Sequence, residues 1–150
     1  MSLKQKIEDD LKAAMLARDA FTVDTLRMVK GAILNEEVAR GIRDQGLDDA
    51  AAEVLLAKEV KKRFEAAGLF DQGGNSESAE KERKEAEILQ AYLPEQLSDE
   101  ELVKIVSDVI AEVGDVSVKD MGRVIGLVKQ RVGNGADGSR VASIVKDKLS

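Results

Sequence analysis

Residues 133–138 are GNGADG, which has the form G-x-G-x-x-G of a dinucleotide-binding loop. That chemistry needs a strand before the glycines and a long helix after them. It also needs an acidic residue about 20 positions further on for the ribose. Here the preceding GLVKQRV continues a helical stripe, and 12 residues follow Gly138. No βαβ unit is expected around such a stretch. The residues fit a connector between helices instead. Gly133 is expected in the left-handed conformation that closes one helix, with Asn134 and Gly135 as the turn. Asp137 then caps the next helix through its carboxylate.

Other chemistry is narrowed by what the chain lacks. It has no cysteine and no histidine. Thiol nucleophiles, disulfides and Cys- or His-ligated zinc are excluded, and so is the commonest general base. No G-x-S-x-G elbow or Walker-type loop occurs. The dense carboxylates, Asp99-Glu100-Glu101 and Glu82/Glu85/Glu87, fit first-turn acids and i,i+4 partners for lysine and arginine. No catalytic residue, metal ligand or cofactor site is therefore expected, and the chain by itself is not expected to be an enzyme.

The basic residues are the better lead. The net charge is −6, but it is unevenly spread. Residues 1–92 carry 15 basic and 19 acidic side chains, residues 93–116 carry 1 and 7, and residues 117–150 carry 7 and 3. Phosphate contacts supply most non-specific nucleic-acid affinity. Lys119, Arg123, Lys129, Arg131 and Arg140 are accordingly expected to form an RNA-binding face. Phe21, Phe64, Phe70 and Tyr92 all lie upstream, so any RNA contact there would be to backbone and shape, without base stacking.

The elements that would position these residues are all helical. Leu3, Ile7, Leu11 and Met15 line a first helix at four-residue spacing. Val23, Leu26, Ile33, Val38 and Ile42 mark a second. Asp48 and Asp49 open a third, whose stripe is Leu56, Val60, Phe64 and Ala67. GLFDQGGNSES (68–78) is rich in Gly, Ser and Asn and is expected to be a turn or mobile loop. A fourth helix runs to Tyr92 with Ala86, Leu89 and Leu93 on one face, and Pro94, the one proline, ends it.

Beyond Pro94, LSDEEL carries a capping box, Ser98 with Glu101, and a staple of Leu97 with Leu102. Leu102, Ile105, Val106, Val109, Ile110 and Val113 follow at 3–4 spacing, and Gly114 stops the helix. VSVKDM repeats the device with Ser117 and Asp120. Met121, Val124, Ile125, Val128 and Val132 form the next stripe, and Val141, Ile144, Val145 and Leu149 the last. Gly122 and Gly126, four apart, are expected to let another helix pack closely, with close approach of a ligand backbone such as a phosphodiester as the alternative. No period-2 run asks for a strand. The fold class is all-α: an N-terminal helical domain over residues 1–93 and a C-terminal three-helix bundle over 94–150.

Three stretches carry a family resemblance: LRMVKGAILNEEVARG (26–41), EAEILQAYLPEQLSDEEL (85–102) and KDMGRVIGLVKQRVGNGADGSRVASIVKDKL (119–149). They resemble the YqeY family over nearly the whole chain. The C-terminal part is similar to the tail domain of the B subunit of tRNA-dependent amidotransferases, the GatB/YqeY domain. Met121, Gly122, Val124, Gly126, Gly135, Asp137 and Gly138 are the family-like positions. Gly135 stands where the resemblance leads one to expect a basic residue.

The resemblance implies a non-catalytic accessory that binds tRNA or associates with a tRNA amidotransferase or another tRNA-aminoacylation protein. A label of carbon–nitrogen ligase with glutamine as amido-N-donor would come by association only, since the catalytic part of that enzyme has no counterpart here. The alternative is a protein-interaction adaptor that binds through its N-terminal helices. A third reading is a subunit completing an amidotransferase in trans. No apolar run approaches the ~20 residues of a membrane span, and MSLKQKIEDDLK lacks the apolar centre of a signal peptide. A cytoplasmic location without membrane contact is expected.

Overall fold

A computed structural model describes all 150 residues, Met1 to Ser150. They form seven α-helices and no strand, so the all-α expectation holds. The helices are α1 (Leu3–Leu16), α2 (Ala20–Arg40), α3 (Asp49–Gln72), α4 (Ser76–Gln90), α5 (Asp99–Val113), α6 (Met121–Val132) and α7 (Gly138–Leu149). The chain divides into two compact units, Met1–Leu93 and Pro94–Ser150.

In the first unit each helix start is held by a polar side chain that accepts a backbone N–H of the first turn. Ser2 accepts from Gln5, Asp19 from Thr22, Asp48 from Ala51 and Asn75 from Ser78. The core is built from Ile7 and Leu11 of α1, Leu26, Val29 and Ile33 of α2, Leu56 and Val60 of α3, and Ala86 and Leu89 of α4. α3 and α4 form a helical hairpin with the most extensive helix contact in the chain. Ala67 and Ala79, also buried, lie outside the main core cluster. Their small side chains suit close approach of the two hairpin helices.

Three expectations need correction here. The segment 68–78 is not a long loop. α3 continues to Gln72, a turn of Gly73, Gly74 and Asn75 follows, and α4 starts at Ser76. Asn75 supplies the cap that lets the new helix start so soon. Val38 and Phe64 are not core residues: they are 58% and 42% exposed. In each case the preceding residue is buried instead, Glu37 at 0% and Arg63 at 6%. In α1 likewise, Ala14 is buried and Met15 faces solvent.

The second unit follows the sequence closely. Ser98 Oγ accepts from the Glu101 N–H at 3.1 Å, and Glu101 accepts from the Ser98 N–H at 2.9 Å. Asp120 accepts from the Ser117 N–H at 2.9 Å, and a 3-10 turn of Val118–Asp120 leads into α6. Leu102, Val106, Val109, Val124, Val128, Val141 and Val145 are at most 1% exposed and form one core. Each helix contributes a single apolar stripe, as three helices packed around one axis require.

Candidate functional site

The GNGADG connector links two helices as expected, with one difference in detail. Gly133 ends α6 with φ +54° but ψ −125°, outside the left-handed helical conformation, Gly133–Gly135 form a 3-10 turn, and Asp137 Oδ1 accepts from the Arg140 N–H at 2.8 Å. The Leu97 N–H donates to the Gly135 carbonyl at 2.8 Å, which ties the connector to the segment entering α5. A Cβ at position 135 would lie 3.4 Å from Leu97 Cγ. This backbone is occupied by its own chain.

Of the five basic residues singled out in the sequence, three are held by internal partners. Lys129 Nζ donates to the Gly133 carbonyl at 3.0 Å and the Ala136 carbonyl at 2.9 Å, which stabilises the C-terminal end of α6. Arg140 donates to the Leu97 carbonyl at 2.9 Å and to Asp99 at 2.8 Å. Arg131 pairs with Glu112. Lys119 and Arg123 are exposed, one turn apart. The five therefore do not present one continuous free cationic face.

Gly122 and Gly126 correct the helix-packing expectation. A Cβ added at either would meet nothing within 4 Å, and both are exposed. α6 packs through Val124 and Val128, so the glycine face turns to solvent and no helix lies against it.

The first unit holds the features that sequence reasoning missed. Glu37 Oε1 and Oε2 accept from Lys4 Nζ at 3.0 and 3.1 Å, and Oε2 also accepts from the Leu47 N–H at 2.7 Å. Burial pushes this carboxyl's pKa up. The hydrogen bonds from Lys4 and Leu47, with the charges of Lys4 and Arg43, outweigh burial and hold it below the ordinary value of 4.5. Arg63 donates to Glu85 at 3.1 Å and to Glu59 at 2.8 Å, a buried ion pair between α3 and α4. The signal for both was the stripe spacing. Ile33 to Glu37 is four residues, and Val60, Arg63 and Ala67 keep 3–4 steps, but a charged type argued against an interior place.

The consequence is an apolar outer surface on α2. Met28, Leu34 and Val38 are 52%, 42% and 58% exposed. Gly31 lies among them, and a Cβ there would meet nothing within 4 Å. Leu34 and Val38 are one turn apart, and Met28 continues the outward surface toward the N-terminus of the helix. At that end an open cleft between α2 and α4 is lined by Phe21, Asp24, Arg27, Met28, Lys81 and Glu85. Glu85 is engaged by Arg63, whereas Arg27 and Lys81 form no ion pair. The α2 surface thus combines an apolar row and a bare stretch of helix backbone, and the cleft at its end adds the unpaired Asp24 and Arg27 of α2 and Lys81 of α4. That set suits binding of a chain segment better than bond chemistry.

Comparison with known proteins places the chain. The family model described as "Yqey-like protein" matches residues 4–149. Three similar relatives are all named "Altered inheritance of mitochondria protein 41, mitochondrial". The one from Eremothecium gossypii is 34% identical over 58% of this chain and 46% of the relative. That from Clavispora lusitaniae is 31% identical over 75% and 65%, and that from Vanderwaltozyma polyspora 26% identical over 77% and 64%. The chain spans about half to two thirds of the length of these relatives. Their names overturn two expectations. Neither tRNA nor amidotransferase association is what they are named for, so the accessory reading falls. They are named as mitochondrial, so the cytoplasmic reading falls too. With its match running from residue 4 to 149, the chain belongs to the YqeY-like protein family.

Proposed function

We propose that this chain is a docking module that receives an α-helix of a protein partner along the outer surface of α2, and that it serves the inheritance of mitochondria for which its relatives are named. The observation that carries the reading is the exposed row of Met28, Gly31, Leu34 and Val38. Three large apolar side chains on one helix surface gain little from water. A helix laid across them would bury them, and Gly31 would let the two backbones approach closely. Arg27 and Lys81 at the cleft favour a helix with acidic residues at that end.

The test is site-specific photocrosslinking with the full chain in a mitochondrial extract. The crosslinker is placed at Leu34, at Val38 or at Glu112 of α5. Adducts from positions 34 and 38 but not 112 are expected, lost when the rest of the row is changed, by Met28→Glu/Val38→Glu for the crosslinker at 34 and by Met28→Glu/Leu34→Glu for the crosslinker at 38. Identical adducts from all three positions, or adducts that survive these double substitutions, would overturn the proposal.

A further inference from the structure

A second exposed surface lies on α3, and its charge pattern specifies its own occupant. Along the side of α3 turned away from α4 run Ala57, Lys61, Phe64, Glu65 and Gly68. Ala57, Lys61, Phe64 and Glu65 are exposed, and a Cβ on Gly68 would meet nothing within 4 Å. The order 57, 61, 64, 68 keeps the 4–3–4 steps of a helix-pairing seam. Lys61 and Glu65 are one turn apart, yet neither forms an ion pair in the structure. Phe64, with 42% of its surface exposed, is the largest side chain of the row.

We propose that this surface pairs with a second copy of the chain, α3 against α3 in antiparallel orientation. A two-fold axis at the level of Arg63 sets Lys61 opposite Glu65 of the second copy, and Glu65 opposite its Lys61. The same axis brings the two Phe64 rings together on the other side of the seam. Side chains on one side of a helix meet the same side of an antiparallel mate. Lys61 and Glu65 lie to one side of the seam and Phe64 to the other, so both matches form at once. Ala57 and Gly68 are small at the two ends of the contact, about 8–9 Å along the helix from the axis, so no bulky side chain holds the backbones apart there. The interface is isologous and closes on itself, with no free end for further growth.

Ala57 to Gly68 spans only about 18 Å of helix, so the buried area falls below that of a standard stable interface and the dimer is weak. This surface is separate from the α2 row, and the inference does not rest on the docking proposal.

Sedimentation equilibrium of the full chain, over a hundredfold concentration range up to about 1 mM, tests it. The wild-type mass is expected to rise toward that of a dimer. Lys61→Glu and Glu65→Lys each bring like charges face to face, so each variant alone should stay monomeric. Mixed in equal amounts the two become complementary and should associate at least as well as wild type. Phe64→Ala should weaken association at least tenfold. Circular dichroism confirms that each exposed substitution leaves the fold intact. A wild-type chain that stays monomeric throughout, a single charge variant that dimerises like wild type, or a variant mixture that stays monomeric would each overturn the proposal.

Discussion

Lys4 Nζ lies 3.0 Å from Glu37 Oε1, so the first turn of α1 is tied to the last turn of α2 through a buried carboxylate. The same carboxylate receives the N–H of Leu47 and so fixes the link that runs from α2 into α3. Glu37→Ala strands both donors and should cost about 2 kcal/mol in chemical denaturation. Glu37→Gln keeps an acceptor for Leu47 and should cost less. Because the folded carboxyl sits below 4.5, its contribution is full above that value and disappears as pH falls through the folded pKa. The stability gap between wild type and Glu37→Gln should therefore shrink as pH falls from neutral through the folded pKa. A gap that stays constant would show that the ionised form of Glu37 adds no stability.

Gly46 is constrained by the same carboxylate. Its φ is +80°, and a Cβ there would lie 3.3 Å from Glu37 Oε2. Gly46→Ala should lower stability by about 1–2 kcal/mol from backbone conformation alone, with a further loss from displacing Glu37. Combining it with Glu37→Gln should give less than the sum of the two losses, measured as a double-mutant cycle.

The Arg63–Glu85 pair makes the opposite kind of prediction. Both side chains are nearly buried, so removing one leaves the other without its counter-charge. Arg63→Ala should lose about 3 kcal/mol. Replacing both partners by methionine should recover most of that loss, because apolar packing avoids the desolvation of two ions. Urea unfolding of the single and double variants checks this. A double variant as unstable as the single would mean that the Glu59 contact, not Glu85, dominates.

The glycines of α6 should be dispensable to the fold. Gly122→Ala and Gly126→Ala each remove the conformational cost of glycine in a helix and meet open space. Each should raise stability by about 1 kcal/mol, read as a higher Tm. A drop in Tm would show that the added methyl group does not meet open space.

The basic residues of the second unit should separate by stability. Arg140→Ala loses the bonds to Leu97 and Asp99 and should cost about 1 kcal/mol, and Lys129→Met should cost a similar amount by freeing two carbonyls. Lys119→Ala and Arg123→Ala should stay within about 0.5 kcal/mol of wild type. Thermal melts of the four variants would show which cations the fold itself uses.

The sequence by itself determined what local interactions decide. Ser98 with Glu101, Asp137 ahead of α7, Pro94 after α4 and the valine stripes of α5 to α7 are written within three or four residues, and the structure follows them. The interior of the first unit was not legible in that way. The stripes read from the sequence took Val38 and Phe64, because a lone glutamate or arginine at the neighbouring position can be buried only when a partner waits for it. The partners are Lys4 and Leu47 for one and Glu85 for the other, distant in sequence and joined only by folding. Tertiary packing therefore decided that Glu37 and Arg63 go inward. It thereby left Val38 and Phe64 outside, where they form the two surfaces proposed for binding.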